Sequence, residues 1–414
     1  MKKLIFLICL SFPFCLIAQN MTSKQYKEDF DYLWHTVYDN YCYWDKKQTN
    51  WEKVRSVYSP LLDTVSSKGS FISLLEKVFY ELYDHHASLN ANTSESQRLV
   101  PTGADLWAEY RNGKPTITEV KQGSGAEKVG IKAGMQIIAV NDIAVEKGVQ
   151  RFLPTCLKEP DTEAQNYALR LLLAGKHSQK RKITASYQNR LVEFYPDDPV
   201  NLLEYRDEKP DIEAKTLGPD IGYILIYNAL GEDRLIREFD SVLTTLTKTK
   251  ALILDLRNTP SGGVTTVARS ILGHFISKEG FYQKHELTAE EKESGVKRSW
   301  MEIVSPRKPI YQKSLVILAD HWTGSVGEGI VVGFDALKRG IIIGTAMAAL
   351  NGAIYSFRMP NTGIGFSFPA EKIFHVNGTP REFFRPAIEV DQLKKSGNKD
   401  YILQEALNYL KKKI

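Results

Sequence analysis

The chain has 414 residues, 43% of them hydrophobic and 25% charged, long enough for two or three domains of ~100 to 200 residues each. Its 54 basic and 49 acidic residues, a net charge of +5, are too evenly balanced to point to a nucleic-acid partner. Four cysteines exclude a disulfide framework, so a core must hold the fold.

The N-terminus, MKKLIFLICLSFPFCLIAQN, sets two lysines ahead of an apolar run from Leu4 to Ala18. This is the layout of a secretory signal peptide, read here as residues 1–19 with cleavage near Ala18. The run is shorter than the ~20 residues that span a bilayer, and Pro13 interrupts it, so no permanent membrane span is expected. Removal of the leader takes away Cys9, Cys15, Lys2 and Lys3, leaving 52 basic against 49 acidic residues and Cys42 with Cys156 for at most one bridge. The mature protein is expected to be exported, periplasmic or secreted.

From Phe30 the apolar residues Phe30, Leu33, Trp34, Val37, Tyr38 and Tyr41 recur as one helix face. WEKVRSVYSPLL and FISLLEKVFYELY repeat the signal, so residues 20–95 read as an N-terminal helical domain. It ends in the loop DHHASLNANTSES with His85 and His86. Residues 96–192 change to a β-rich module: GADLWAEYRNGKPTITEV alternates around the turn-forming Asn112-Gly113. The following stretch, GSGAEKVGIKAGMQIIAVNDIAV, resembles the part of PDZ domains where a short helix after Gly125 leads into an AGD.I..VNG strand, with Met135 and Asp142 in place of the usual Asp and Gly. That resemblance implies capture of an extended peptide or peptide C-terminus along a sheet edge; a β module used only for packing is the other reading.

After the polar connection YPDDPVNLLEYRDEKPDIEAKTLGPD, strand-like and helix-like segments alternate: IGYILIY, EDRLIREFDSVLTTL, ALILDL, VTTVARSILGHFI, SLVILAD, a helix after Ser325, then GIIIGTA. The fold class is therefore multi-domain α/β, with a core of parallel strands and helical crossovers over residues 193–395. Residues 396–414 form a terminal helix. Ligands of such sheets sit beyond the carboxyl ends of the strands, which points to the glycine-rich loops after ALILDL and SLVILAD.

In the second of these loops Ser325-Val326-Gly327-Glu328 fits a helix capping box. The same place suits a nucleophile, because free N–H groups and the positive end of the helix dipole lie where an oxyanion would form. In the first loop, DLRNTPSGGVTTVA, Gly262 and Gly263 either make a tight turn beside a structural Asp255–Arg257 pair or bring an N–H toward that of Val326 to complete a two-donor oxyanion hole.

Together these segments resemble the C-terminal-processing (tail-specific) and tricorn-like serine peptidases, from about residue 30 to 391. ALILDLRNTPSGG is similar to their DLR.N.GG segment with one extra residue, and TGSVGEG to their T.S..E segment. The resemblance implies a crotonase-like or ClpP-like core, Ser325 as nucleophile, Glu328 as a supporting helix residue, and Gly262, Gly263 and Val326 as oxyanion donors. A lysine base would need a lysine soon after IIIGTAMAALNGAIYSF, and none lies between Arg339 and Arg358. LYDHHASL instead matches the tricorn-like L.DGH..L pattern with His86 at the histidine, a residue type whose pKa of ~6.5 suits a base near neutrality. NGTPREFFRPAIEVD resembles the terminal DG...EG.G..PD..V stretch and puts Glu382 at the orienting carboxylate, with Phe383 and Ala387 as departures and Glu389 as the alternative.

The eight histidines show no H-E-x-x-H spacing and the cysteines no C-x-x-C, so neither a metal nor another cofactor is indicated. The leading expectation is an exported serine endopeptidase acting on protein or peptide substrates. A non-catalytic peptide- or ligand-binding protein of the same fold is the second. An esterase using Ser325 and His375 is the third, weakened by Thr323 in place of the first glycine of a G-x-S-x-G elbow.

Overall fold

The computed structural model describes residues 21–198, 210–394 and 399–414; the leader read over residues 1–19 lies outside them. The alternating segments of the second half build one six-stranded sheet. Its order is Ile388–Glu389, Ile341–Gly344, Ser314–Ala319, Ala251–Asp255, Ile221–Ile226 and Ile212–Leu217. The first five strands are mutually parallel. The last, antiparallel strand lies inside the segment read as a polar connection. Its sequence IEAKTL leaves Ala214, Lys215 and Thr216 exposed, the polar habit of an edge strand, which is why no hydrophobic pattern announces it.

The central strands read as unbroken apolar runs because both faces are covered. Leu252 and Leu254 enter a cluster with the helices Arg234–Leu246, Thr265–Gly273 and Val326–Ala336. Ala251 and Ile253 face the other way, against Ile402, Ala406 and Leu410 of the terminal helix Tyr401–Lys411. Each such leucine or isoleucine contributes about 1.5–3 kcal/mol when fully buried.

The N-terminal helices Ser23–Asn40, Trp51–Tyr58 and Lys68–Tyr80 appear where the periodicity places them, with Phe30, Leu33, Trp34 and Val37 buried and Tyr38 left 39% exposed. Their core is completed from far along the chain. Met359, Ile364, Phe366, Phe368 and Ala370, on and between the paired strands Ala353–Arg358 and Gly365–Phe374, pack into the same cluster. Gly365–Phe374 also belongs to an antiparallel sheet with Ser88–Leu89, Gly280–Leu287 and Arg298–Val304, strands that the sequence reading did not identify.

Between these parts lies an antiparallel sheet of Leu106–Arg111, Lys114–Val120, Gln136–Val140, Ile183–Tyr187 and Arg190–Phe194, with Ile143–Ala144 paired to the third of them. Asn112 and Gly113 turn the first hairpin with φ of 51° and 73°, the left-handed pair that a tight two-residue hairpin requires. The short helix Gly125–Lys128 follows as expected, its first turn capped by Ser124. Two buried members of this module's core come from outside it, Tyr83 and Trp322; Trp322, fully buried, donates its indole N–H to Ala104 O at 2.7 Å. Cys42 and Cys156 are buried and unbridged. Among the described residues no helix is long and apolar enough to cross a membrane.

Candidate active site

Strand Ser314–Ala319 ends beneath a short loop, Asp320 to Gly324, and the chain then enters helix Val326–Ala336 through Ser325. Other capping residues of this protein, Thr22, Ser67 and Ser124, have extended backbones and hydroxyls that accept a first-turn N–H, the usual geometry of a cap. Ser325 differs, with φ 50° and ψ −110°. A left-handed backbone at a non-glycine residue costs on the order of 1–3 kcal/mol and gathers at functional sites. Glu328, fully buried one turn on, accepts the Ser325 N–H at 2.8 Å. Burial pushes its carboxyl up to about 7, against the opposing pull of Arg381.

The loop after Ala251–Asp255 interlocks with this one. Thr259 N–H donates to Trp322 O at 3.1 Å, and Gly324 N–H returns to Thr259 O at 3.2 Å. Gly262, at φ 67°, lies so close to the serine that a Cβ there would be 2.4 Å from Ser325 Cβ and 2.9 Å from both Ser325 Oγ and Val326 N. Its own N–H closes a turn onto Thr259 O at 3.2 Å, whereas those of Gly263 and Val326 have no hydrogen-bond partner among the described residues. Of the three residues named from the sequence, Gly262 is set against Ser325 and Val326, and Gly263 follows it in the chain. Asp255 and Arg257 take the structural role, paired at 2.6 Å and extended to Asp400 at 2.7 Å.

His86 sits in the loop after Lys68–Tyr80. Its Nδ1 lies 2.6 Å from Asn351 O and its backbone N–H donates to Asp84 Oδ1 at 2.9 Å. A carbonyl opposite Nδ1 requires the proton there, which leaves the lone pair on Nε2. Burial lowers its pKa to about 4; the Asn351 carbonyl and Asp84 oppose that shift, and nearby Arg381 adds to it. The imidazole is therefore neutral near pH 7. His85 turns the other way, its ring 4.6 Å from that of Tyr167 in the β module.

Residues 348–352 join the two halves. Ala348 N–H donates to Thr323 O at 3.1 Å in the loop before Ser325; three residues later the Asn351 carbonyl meets His86. Arg381, 2% exposed, donates from Nη2 to Leu350 O at 2.9 Å and Gly352 O at 2.6 Å, and stands 3.7 Å from Glu328. Glu382 is next along the chain, but its Oε1 pairs with Lys46 Nζ and its buried Oε2 has no partner. It makes no hydrogen bond to His86. Glu389 is exposed at the sheet edge. His375 lies 3.1 Å from Asp335, ten residues and so roughly 15 Å along the helix from Ser325, which removes it from any shared site with that serine. Sequence reading missed Asn351 and Arg381, which nothing in their neighbourhood marks; Asp84 was within the LYDHHASL match but had no role.

Comparison with known proteins bears on the fold and on two segments of the chain. Peptidase family S41 matches residues 220–391, and the Tricorn protease C1 domain matches residues 22–79. Tricorn protease homolog 2 of Streptomyces coelicolor is 22% identical over 347 residues, which is 75% of this chain. The chain spans about a quarter of that relative's length, 26%. Among solved structures, mature CPAF is similar with a TM-score of 0.61 and 16% identity, over 94% of this chain and 97% of that one. The photosystem II D1 C-terminal processing protease gives 0.56 and 16%, over 94% and 98%. These likenesses show the fold alone; the two family matches support a serine peptidase of the tricorn-like, C-terminal-processing kind.

Proposed function

With the match of residues 220–391 to Peptidase family S41 as the premise, we propose that the protein is a serine-type endopeptidase that cleaves protein or peptide substrates through an acyl-enzyme. Ser325 Oγ attacks the scissile carbonyl while His86 Nε2 takes its proton, and the imidazolium then gives that proton to the leaving amine. The oxyanion is received by the N–H groups of Val326 and Gly263, with Gly262 leaving the space for it; one such donor is worth ~3 kcal/mol in the barrier. Water reaches the acyl-enzyme by the same base and restores the serine.

The observation that carries this reading is the left-handed Ser325 at the head of its helix, facing a glycine whose side-chain space is the site itself. The third position of the implied triad is the weak one: Glu382 fits it in sequence but is held by Lys46. That pairing favours the second reading, a binding protein that keeps the fold without the chemistry. Fluorophosphonate labelling of the wild type, Ser325→Ala and His86→Ala separates the two. An adduct on the wild type alone supports the peptidase; a folded wild type that takes none leaves the binding protein.

The β module is proposed to act as a PDZ-like receptor for peptide termini, supported by its antiparallel sheet and the helix Gly125–Lys128. Substrates with amidated C-termini should then be cut more slowly than those with a free carboxylate. Export to the periplasm is proposed from the leader, and an N-terminus beginning after Ala18 in a periplasmic fraction would support it.

A further inference from the structure

Resting on the reading of Ser325 and His86 as nucleophile and base, we infer that the imidazole is positioned by the Asp84–Asn351 pair, with Arg381 as its clamp, in place of the Glu382 carboxylate. Three hydrogen bonds close a ring around the base. His86 Nδ1 meets Asn351 O at 2.6 Å, Asn351 Nδ2 donates to Asp84 Oδ2 at 2.8 Å, and the His86 N–H donates to Asp84 Oδ1 at 2.9 Å. One carboxylate thus fixes both the backbone that carries the ring and the residue whose carbonyl receives the ring's proton. Tyr41 OH fills the remaining position on Asp84 Oδ2 at 2.7 Å, and Asp84 is 3% exposed. It is an acceptor with no freedom to turn away.

The Asn351 carbonyl needs its own support, because a peptide plane in a loop can rotate. Arg381 supplies it by gripping the carbonyls on either side, Leu350 O and Gly352 O. Ala349 and Gly352 take left-handed φ of 55° and 46°, and a Cβ on Gly352 would lie 2.1 Å from Glu371 O, so this turn has little room to relax. A carbonyl orients the tautomer as a carboxylate does but carries no full charge. When His86 takes the serine proton, the compensating charge is Asp84, one hydrogen bond behind, with Arg381 opposing it. Glu382 cannot substitute while it faces Lys46.

The test is ¹⁵N-histidine NMR together with kinetics on the full-length chain, comparing wild type, Asp84→Asn, Asn351→Ala and Glu382→Gln. Asn351→Ala keeps the carbonyl and removes only its tie to Asp84, so it serves if Asp84→Asn does not fold. In the wild type, His86 is expected to carry its proton on Nδ1. In Asn351→Ala and Asp84→Asn that signal should give way to mixed tautomers. kcat should fall about 10–100-fold with KM little changed, short of the ~10⁴-fold cost of a wrongly held tautomer. A staple that merely stabilises the loop would lower Tm without moving the tautomer. The inference is overturned if both variants keep the Nδ1–H signal and wild-type kcat, or if Glu382→Gln alone reproduces the loss seen in His86→Ala. A wild type without fluorophosphonate reactivity overturns the catalytic reading instead, while the NMR arm still reports whether Asp84 and Asn351 hold the ring.

Discussion

A methyl group on Gly262 would occupy the space the proposed chemistry needs. In Gly262→Ala the new Cβ would start 2.4 Å from Ser325 Cβ and 2.9 Å from Val326 N. Ordinary carbon contacts lie at ~3.5–4.0 Å, so one of the two loops must retreat by about 1 Å. The positive φ adds about 1–2 kcal/mol of backbone cost for a residue with a Cβ. A displacement of 1 Å at a reacting group costs ~10²-fold, and loss of an oxyanion donor ~10²–10³-fold. We therefore expect kcat/KM and the fluorophosphonate labelling rate to fall by about 10²–10³-fold, or roughly 3–4 kcal/mol in the barrier. Gly263→Ala should lose thermal stability as well as activity, because its Cβ would lie 2.1 Å from Leu230 C and O and would displace the N–H proposed as an oxyanion donor. A folded Gly262→Ala protein that labels at the wild-type rate would refute the placement of this loop over the nucleophile.

Three further outcomes follow from the same geometry. The His86 pKa, lowered from 6.5 to about 4, places the acid limb of kcat/KM near pH 4, and a limb at the ordinary value would contradict the buried ring. Because the unfolded chain binds that proton more readily, this group's contribution to stability is complete above pH 6.5 and is lost as pH falls toward 4. Glu328, raised from 4.5 to about 7, acts in the opposite sense: its contribution is complete below 4.5 and is lost as pH rises through 7. Glu328→Gln should flatten that slope, so Tm of wild type and variant measured across this window must diverge or the burial argument fails. Trp322→Ala should cost about 3–5 kcal/mol and reduce labelling of Ser325, since the same loop carries both. Unchanged urea unfolding would show that the indole is not anchored in the β module.

The parallel core was legible because strands buried on both faces write themselves as continuous apolar runs, and ALILDL and SLVILAD do so. The strand Ile212–Leu217 was not, because an edge strand with Lys215 and Thr216 facing water carries no such pattern. At the candidate site, the strand–loop–helix settings of Ser325 and of the glycine pair were visible. The left-handed backbone that separates this serine from an ordinary cap was not, since nothing in TGSVGEG dictates φ. The surroundings of His86 were hidden for a different reason: Asn351 and Arg381 act through backbone carbonyls, contacts that depend on chain path and leave no compositional trace. The likeness to known peptidases supplied Glu382, and only the geometry could reveal that Lys46 already holds it.

The shared core of the early helices and the hairpin near residue 370 also sets when the proposed activity can arise. His86 and Ser325 are 239 positions apart, so at a synthesis rate of about 5–20 residues per second the second group trails the first by roughly 10–50 s. Throughout that interval the helices Ser23–Asn40 and Lys68–Tyr80 lack Phe366 and Phe368, the aromatic partners that complete their packing. An unfinished chain therefore carries neither a settled His86 loop nor Ser325, and the proposed activity is withheld by the order in which its parts are made.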